Sequence, residues 1–297
     1  MACWVSAIHG PSHKRSPVSV ADGMSMEISK TRGTEGASAF LFRRTAFIAH
    51  RADPRFSYCM YVPDEIRQIC VYVHGTYRDA AFYRDHLSDF AIRNRVLLIC
   101  PLFPAGLIDP DDVDNYKQLL FRGIRFDLIL LDMLEDIRER YDVANERFML
   151  GGFSGGAQFA HRFAYLHPGH VQALSLAAPG RVTLLDDSLD WWSGIRDVEQ
   201  LFGQVIDLGV LRDMPIQLLI GENDNANITT NEGDADWVPG ANRAGINRRQ
   251  RLESLYQQYH QIGCHVRIKI VPDCGHDWLP LRDATIRFFE VSSKALD

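Results

Sequence analysis

Apolar and polar residues follow two alternating patterns along most of this chain. Short runs rich in Val, Ile and Leu are followed by longer segments whose apolar residues recur every three or four positions. The runs predict buried strands, and the longer segments predict amphipathic helices. Their alternation predicts an α/β fold, a mostly parallel twisted sheet with helices on both faces.

The predicted elements follow one another from residue 69 onward. Strands are predicted at 69–73, 96–100, 147–150, 171–176, 216–220 and 266–271. Helices are predicted at 82–92, 117–141, 157–166, 248–262 and 283–291. Two antiparallel strands are predicted before them, at 39–48 and 56–62, with a turn at Asp53-Pro54 between them. Two long insertions, 182–213 and 225–247, follow strands at the carboxyl edge, where open parallel sheets build ligand sites.

The composition separates a short N-terminal arm from the rest of the chain. Residues 1–36 are rich in Ser, Thr, Gly and Pro and predict a disordered arm. Residues 37–297 then form one α/β domain, with the two insertions making a small cap.

Charge and cysteine usage narrow the classes of partner and compartment. The net charge of -6, with no basic stripe, argues against nucleic acid as a partner. No apolar run is long enough to span a membrane, and the first residues lack a signal-peptide core. The six scattered cysteines predict buried free thiols, with a Cys264–Cys274 disulfide as the alternative. We expect a cytoplasmic monomer or homodimer with a small-molecule substrate.

The segment Gly151-Gly152-Phe153-Ser154-Gly155-Gly156 joins a predicted strand to a predicted helix. A serine bounded by glycines at such a turn matches the G-x-S-x-G nucleophile elbow, in which the tight bend exposes the hydroxyl. The following helix directs unpaired N–H groups and its positive dipole end towards an anion formed beside Ser154. A tight turn without chemistry is the alternative.

A nucleophilic serine needs a base, and the base needs an orienting acid. The strand ending at residue 220 is followed by Gly221-Glu222-Asn223-Asp224, and the strand ending at residue 271 is followed by a loop that contains His276. We predict His276 as the base and Asp224 as the acid. The alternative acids are Glu222, Asp234, Asp236 and the pair Asp186-Asp187.

Attack on a carbonyl also requires donors for the oxyanion. The N–H of Gly155 is predicted as one donor. The second is predicted in His74-Gly75-Thr76-Tyr77, the loop after an early strand, as the N–H of Thr76 or, alternatively, of Tyr77.

Several aromatic residues near these loops are candidates for a substrate pocket. For the tryptophans, packing of the cap on the sheet is the alternative. The candidates are Tyr77, Phe103, Phe153, Trp191 and Trp192.

No cofactor or metal is expected. The chain contains no H-E-x-x-H, phosphate-binding or dinucleotide-binding motif. The acidic run 109–114 lacks the glycine and glutamate of a calcium loop.

Residues 38–292 resemble the α/β-hydrolase superfamily, because the His74-Gly75 loop, the Ser154 elbow, the Asp224 loop and the His276 loop occur in the family's order. The chain looks most like its carboxylesterase and dienelactone-hydrolase-like branches, and it differs from hormone-sensitive-lipase-like esterases in having His74-Gly75-Thr76 instead of three glycines. The resemblance implies a serine hydrolase that cleaves a small ester through an acyl-enzyme. Cleavage of an amide or carbon–carbon bond, and a non-catalytic sensor with the same fold, are the alternatives.

Overall fold

The computed structural model describes residues 41–294, so the predicted N-terminal arm lies outside the described residues. In chain order the strands are β1 Arg43–Arg44, β2 Ile48–Ala49, β3 Ser57–Val62, β4 Gln68–Val73, β5 Val96–Leu102, β6 Leu120–Phe121, β7 Ile124–Arg125, β8 Phe148–Phe153, β9 Val171–Ala177, β10 Ile216–Gly221 and β11 Val266–Val271. The α-helices are α1 Ala80–Asn94, α2 Phe126–Tyr141, α3 Gly155–Leu166, α4 Val198–Phe202, α5 Leu208–Asp213, α6 Arg248–Gln261 and α7 Leu279–Lys294.

One mixed sheet of nine strands organises the described chain, and β6 and β7 form a separate hairpin. The order is β1-β3-β5-β4-β8-β9-β10-β11, with β2 also paired to β3. Strands β5, β4, β8, β9, β10 and β11 are parallel to one another, whereas β3 is antiparallel to its neighbours. Because parallel strands end at the same edge, the loops after β4, β8, β10 and β11 lie together at the carboxyl edge.

Helices cover both faces of this sheet, as the alternation predicts. In α3, Phe163 packs against Phe148 of β8, with ring centroids 5.9 Å apart. A Cβ added at Gly151 of the same strand would lie 3.1 Å from Phe289 of α7. Since Phe148 and Gly151 are an odd number of residues apart, they point to opposite faces of β8. Helices α3 and α7 therefore cover opposite sides of the sheet.

One predicted helix begins later than its sequence pattern indicates. The segment predicted as a helix from 117 instead contains a short 3₁₀ turn and the β6–β7 hairpin, and α2 begins only at Phe126. Three residues between these elements have positive φ, namely Leu119, Arg122 and Gly123. A right-handed helix cannot continue through such residues, so the prediction was wrong for the first nine residues. The predicted strand at 39–48 is likewise reduced, among the described residues, to β1 and β2.

Hydrogen bonds from Arg251 and Trp192 join the insertion at 225–247 to α6 and to the other insertion. The guanidinium of Arg251 donates to the carbonyl oxygens of Gly180, Ile228 and Gly245 at 2.6, 3.1 and 2.9 Å. Trp192 Nε1 donates to the carbonyl oxygen of Asp236, 2.9 Å away. Backbone carbonyl oxygens accept these bonds, and side chains add others: Asn242 Oδ1 accepts from Arg251, and Arg181 pairs with Asp236.

All five described cysteines are free and buried, so the alternative Cys264–Cys274 disulfide is not formed. Burial raises the pKa of the Cys59 thiol to about 11. Buried neutral thiols of this kind act as small apolar side chains. None of the helices within 41–294 has the length and apolar character needed to cross a membrane.

Candidate active site

Ser154 occupies the sharp turn between β8 and α3. Its backbone has φ 54° and ψ -111°, a conformation that L-residues rarely adopt. A Cβ added at Gly152 would lie 2.3 Å from the carbonyl carbon of Gly156, and one added at Gly156 would lie 2.0 Å from the carbonyl oxygen of Val73. Both positions need glycine because the elbow packs directly on the neighbouring backbone. The strain is of the kind that clusters at functional sites.

The structure brings Ser154, His276 and Asp224 into one hydrogen-bonded chain. His276 Nε2 lies 3.1 Å from Ser154 Oγ, and His276 Nδ1 lies 2.7 Å from Asp224 Oδ2. An ionised carboxylate can only accept hydrogen bonds, so His276 Nδ1 must carry the proton that it donates to Asp224. Nε2 is then free to accept a hydrogen bond from the serine hydroxyl. This is the arrangement that a general base for Ser154 requires.

Among the described acids, Asp224 is the one in contact with His276. It follows β10 and is 2% exposed, and its N–H donates to the carbonyl oxygen of Gly221. The other candidate acids have different surroundings. Asp186 accepts from Ser188, Asp236 pairs with Arg181, Asp234 accepts from the N–H of Asn231, Glu222 accepts from the N–H of Asp273, and Asp187 is exposed.

A second partner of Asp224, the guanidinium of Arg248, has no counterpart in the sequence predictions. Arg248 Nη1 lies 3.1 Å from Asp224 Oδ1, so each carboxylate oxygen has its own donor. Burial raises the pKa of the Asp224 carboxyl, but the interactions with His276 and Arg248 outweigh it and the pKa lies below its ordinary value. One sequence signal was available, since a cation in the first turn of a helix opposes the helix dipole.

The predicted oxyanion donors lie on two adjoining backbone segments. The N–H of Gly155 is in the first turn of α3, where no intrahelical carbonyl can accept from it. The N–H groups of Thr76 and Tyr77 have no acceptor within residues 41–294, so both are available to a ligand. The side chain of Tyr77 is 99% exposed. These free donors at the carboxyl edge are the kind that stabilise a developing oxyanion.

His74 is buried and fixes the loop that carries Thr76. Burial lowers the pKa of His74 to about 3, so its imidazole is neutral. Nδ1 donates to the carbonyl oxygen of Gly75 at 2.8 Å, and Nε2 accepts the N–H of Phe103 at 3.0 Å. The hydroxyl of Tyr116 donates to the carbonyl oxygen of His74 at 2.9 Å. His74 therefore has a structural position and does not face the serine.

Tyr116 also contacts the elbow. A Cβ added at Gly155 would lie 2.4 Å from Tyr116 Oη and 2.8 Å from Lys117 Cε. One phenol oxygen thus packs against Gly155 and bonds the His74 carbonyl. Arg78 ties down the other side of the loop, donating to the carbonyl oxygens of Thr76 and Phe103 at 2.6 and 3.0 Å. The spacing between the two donor segments is therefore set by side-chain hydrogen bonds.

A cavity of about 470 Å³ opens beside the serine. Its wall includes the ring of Phe153, which stacks on His276 with centroids 4.7 Å apart and planes at 27°. The residues that line the cavity are Gly75, Thr76, Tyr77, Arg78, Asp79, Phe82, Tyr83, Phe153, Ser154, Arg248 and His276.

Three of the predicted pocket residues lie elsewhere. Phe103 is fully buried and packs on Tyr116 and Phe159, with centroids 5.6 and 5.1 Å away. Trp191 and Trp192 are 9% and 2% exposed, and their ring N–H groups donate to backbone carbonyl oxygens. None of the three lines the cavity at Ser154. Their side chains pack the cap and the core, which was the alternative for the tryptophans.

No cluster of three or more His, Cys, Asp or Glu side chains suited to a metal ion occurs within residues 41–294.

Comparison with known proteins defines the fold. No protein-family model matches the chain, and no curated protein sequence is significantly similar to it. Among solved structures, the chain is similar to LpqC, a poly(3-hydroxybutyrate) depolymerase from Bordetella parapertussis, with TM-score 0.63 and 24% identity over 79% of this chain and 85% of that one. It is also similar to poly(aspartic acid) hydrolase-1 from Sphingomonas sp. KT-1, with TM-score 0.58 and 20% identity over 80% and 92% of the two chains. A ferulic acid esterase aligns with TM-score 0.55 and 13% identity over 85% and 98%.

These similarities, together with the sheet order and the elbow, show that the chain has the α/β-hydrolase fold.

Proposed function

We propose that this protein is a serine hydrolase that cleaves a carboxylic ester of a small molecule through an acyl-enzyme. The observation that carries the proposal is the hydrogen-bonded chain from Ser154 Oγ through His276 to the buried Asp224 carboxylate. Free backbone N–H groups adjoin it in the same cavity. The names of similarly folded structures, a depolymerase and an esterase among them, support hydrolysis of acyl bonds.

The geometry supports the following proton transfers. His276 Nε2 takes the proton of Ser154 as Oγ attacks the ester carbonyl carbon. The negative charge on the carbonyl oxygen is stabilised by the N–H groups of Gly155 and Thr76. The resulting imidazolium, paired with Asp224, gives its proton to the departing alcohol, which leaves the acyl group on Ser154. A water molecule then gives a proton to His276 Nε2 as its oxygen attacks the acyl carbon. The bond from that carbon to Ser154 Oγ breaks, His276 returns the proton to Oγ, and the carboxylic acid is released.

The walls of the cavity support an apolar acyl or alcohol group of modest size. Its volume of about 470 Å³ lies within the ordinary range for small-molecule sites. The rings of Phe82, Tyr83 and Phe153 form part of its lining. Aromatic walls favour a flat or branched apolar substituent next to the scissile carbonyl.

Labelling by a fluorophosphonate probe, together with turnover of 4-nitrophenyl esters of increasing acyl length, tests the proposal. We expect the wild type to be labelled and active, and Ser154→Ala to be unlabelled and slower by more than about 10⁴-fold. Ser188→Ala, on the exposed part of an insertion, is the control and should behave as wild type. Absence of both labelling and turnover in folded wild type would favour a sensor and overturn the proposal.

Anilides and β-diketones with matched acyl groups distinguish ester hydrolysis from cleavage of amide or carbon–carbon bonds. An ester hydrolase should cleave a 4-nitrophenyl ester far faster than the anilide with the same acyl group, because the phenolate leaves more easily. Faster cleavage of the anilide or the diketone would assign the triad to amide or carbon–carbon bonds.

A further inference from the structure

The side chain of Arg248 reaches the catalytic acid from the far end of an insertion. Arg248 is the first residue of α6, and Asn247 caps that helix by accepting the N–H of Gln250 at 2.9 Å. The cap fixes the backbone, so the side chain extends towards Asp224, whose Oδ1 lies 3.1 Å from Nη1. Arg248 also lines the cavity that contains Ser154.

The guanidinium of Arg248 bonds to Asp224 and to no other described group. Within residues 41–294, its hydrogen bond to Asp224 is the one it makes, and its buried Nε has no acceptor. One turn further along α6, Arg251 instead donates to three carbonyl oxygens and to Asn242. Arg249, next to it, forms an ion pair with Glu253 on the helix surface. Of these three arginines, the one that faces the site is the one committed to the catalytic carboxylate.

Two donors fix the orientation of the Asp224 carboxylate. The torsion about the bond to a carboxylate group is broad when the group has one partner. With His276 at Oδ2 and Arg248 at Oδ1, rotation would break one charge-assisted hydrogen bond or the other. Arg248 therefore holds the imidazole in line with Ser154 through the carboxylate.

The positive charge of Arg248 has a second consequence. An aspartate beside a catalytic histidine favours the imidazolium that forms when the histidine takes the serine proton. A cation on the other oxygen of the same carboxylate offsets part of that negative charge. Arg248 therefore lessens the negative charge that the Asp224 carboxylate presents to the imidazole of His276.

Other charged groups around His276 stay unchanged when Arg248 is replaced. Besides Asp224, they are Arg78 and Asp79 of the cavity wall and Asp277 of the base loop. The thiol of Cys274 on the same loop is neutral, because burial raises its pKa. Because their contribution is common to wild type and variants, a difference in pH dependence reports on Arg248.

We propose that Arg248 is a positioning residue of the active site, orienting the Asp224 carboxylate and extending activity towards acidic pH. This inference rests on the proposed function, because it concerns how His276 activates Ser154. It adds to the triad a residue from the first turn of α6, directly after the insertion at 225–247.

The test compares Arg248→Gln, Arg248→Lys and Arg249→Gln by kcat, KM and the pH profile of kcat/KM on a 4-nitrophenyl ester. For Arg248→Gln we expect kcat to fall by about tenfold, the loss of one charge-assisted hydrogen bond, with KM changed by less than about twofold. The acid limb of kcat/KM should move up by about one pH unit. Arg248→Lys keeps the positive charge, so the acid limb of its kcat/KM profile should stay at the wild-type pH. Arg249→Gln should match wild type in all three measurements.

Two results would overturn the proposal. The first is an Arg248→Gln variant whose kcat and acid limb of kcat/KM are both those of wild type. The second is an Arg248→Lys variant whose acid limb moves as far as that of Arg248→Gln. Circular dichroism checks that each variant is folded, and the lysine variant remains informative if the glutamine variant is not. The pH dependence of fluorophosphonate labelling gives the same comparison without an ester substrate. Labelling that proceeds without ester turnover would therefore refute the ester proposal while still testing Arg248.

Discussion

Replacing Asp224 with asparagine should reverse the hydrogen bond to His276. Arg248 can only donate, so the amide oxygen of the new side chain would face Arg248 Nη1, now 3.1 Å from Oδ1. The amide NH₂ would then face His276 Nδ1, now 2.7 Å from Oδ2. His276 would have to accept at Nδ1 and carry its proton on Nε2. In that tautomer it cannot take the proton of Ser154.

The size of the effect follows from two losses. Turning the amide around would set its NH₂ against the guanidinium and leave buried donors unpaired, which costs about 2–3 kcal/mol. Loss of the carboxylate charge about 5 Å from the imidazolium adds about 3 kcal/mol at an effective permittivity near 20. The sum, about 5–6 kcal/mol, corresponds to a fall in kcat of about 10⁴-fold.

Asp224→Ala provides the comparison that isolates the tautomer. It removes the charge but imposes no donor on Nδ1, so we expect a smaller loss of about 10²- to 10³-fold. Both rates are measured on a 4-nitrophenyl ester at the pH of maximal wild-type activity, with circular dichroism to check folding. The reasoning fails if folded Asp224→Asn is within tenfold of wild type, or if it turns over faster than Asp224→Ala.

Three further predictions follow from the packing around the site. Gly156→Ala should leave no folded protein, whereas Gly169→Ala, which meets nothing within 4 Å, should melt within about 2 °C of wild type; circular dichroism of a folded Gly156→Ala would contradict the elbow geometry. Tyr116→Phe should lower kcat by about tenfold at nearly constant KM, because one hydrogen bond to the oxyanion loop is lost; a change in KM alone would refute this. Burial holds the pKa of His74 at about 3 and that of His161 far below its usual value, so the unfolded chain binds more protons below about pH 6.5. The free energy of unfolding should then fall by about 1.4 kcal/mol per pH unit for each histidine as the pH drops, and a flat profile in urea titrations between about pH 7 and pH 5 would contradict it.

Much of the fold could be predicted from the sequence because strand and helix periodicities are local signals. The strand predicted at 266–271 coincides with β11, and the elbow begins where its glycines indicate. The late start of α2 was missed because the break depends on non-glycine residues with positive φ, such as Leu119 and Arg122. Gly123 was the one signal in the sequence for this break, and nothing in the sequence indicates a positive φ at Leu119 or Arg122.

Some residues of the candidate site could be predicted from the sequence, and others could not. Ser154, Asp224 and His276 follow strand ends, and sequence order with parallel topology is enough to bring such loops to one edge. Arg248 was not predicted, because its partner lies across an insertion whose path no pattern specifies. Phe103 was placed in the pocket from its proximity in sequence, but the direction of a side chain leaving a loop depends on tertiary packing.

The anchoring of the insertions bears on how this scaffold can change. Arg251 and Trp192 are held by carbonyl oxygens of the loops, and every residue type supplies a carbonyl oxygen. Exposed side chains in those loops can therefore be exchanged while these points of attachment persist, and Asn242, whose side chain also accepts from Arg251, is kept. The exposed loop surface is separable from the hydrogen-bonded chain of Ser154, His276 and Asp224. If the proposed function holds, libraries that vary exposed positions of 225–247 offer a route to new substrate preferences without altering that chain.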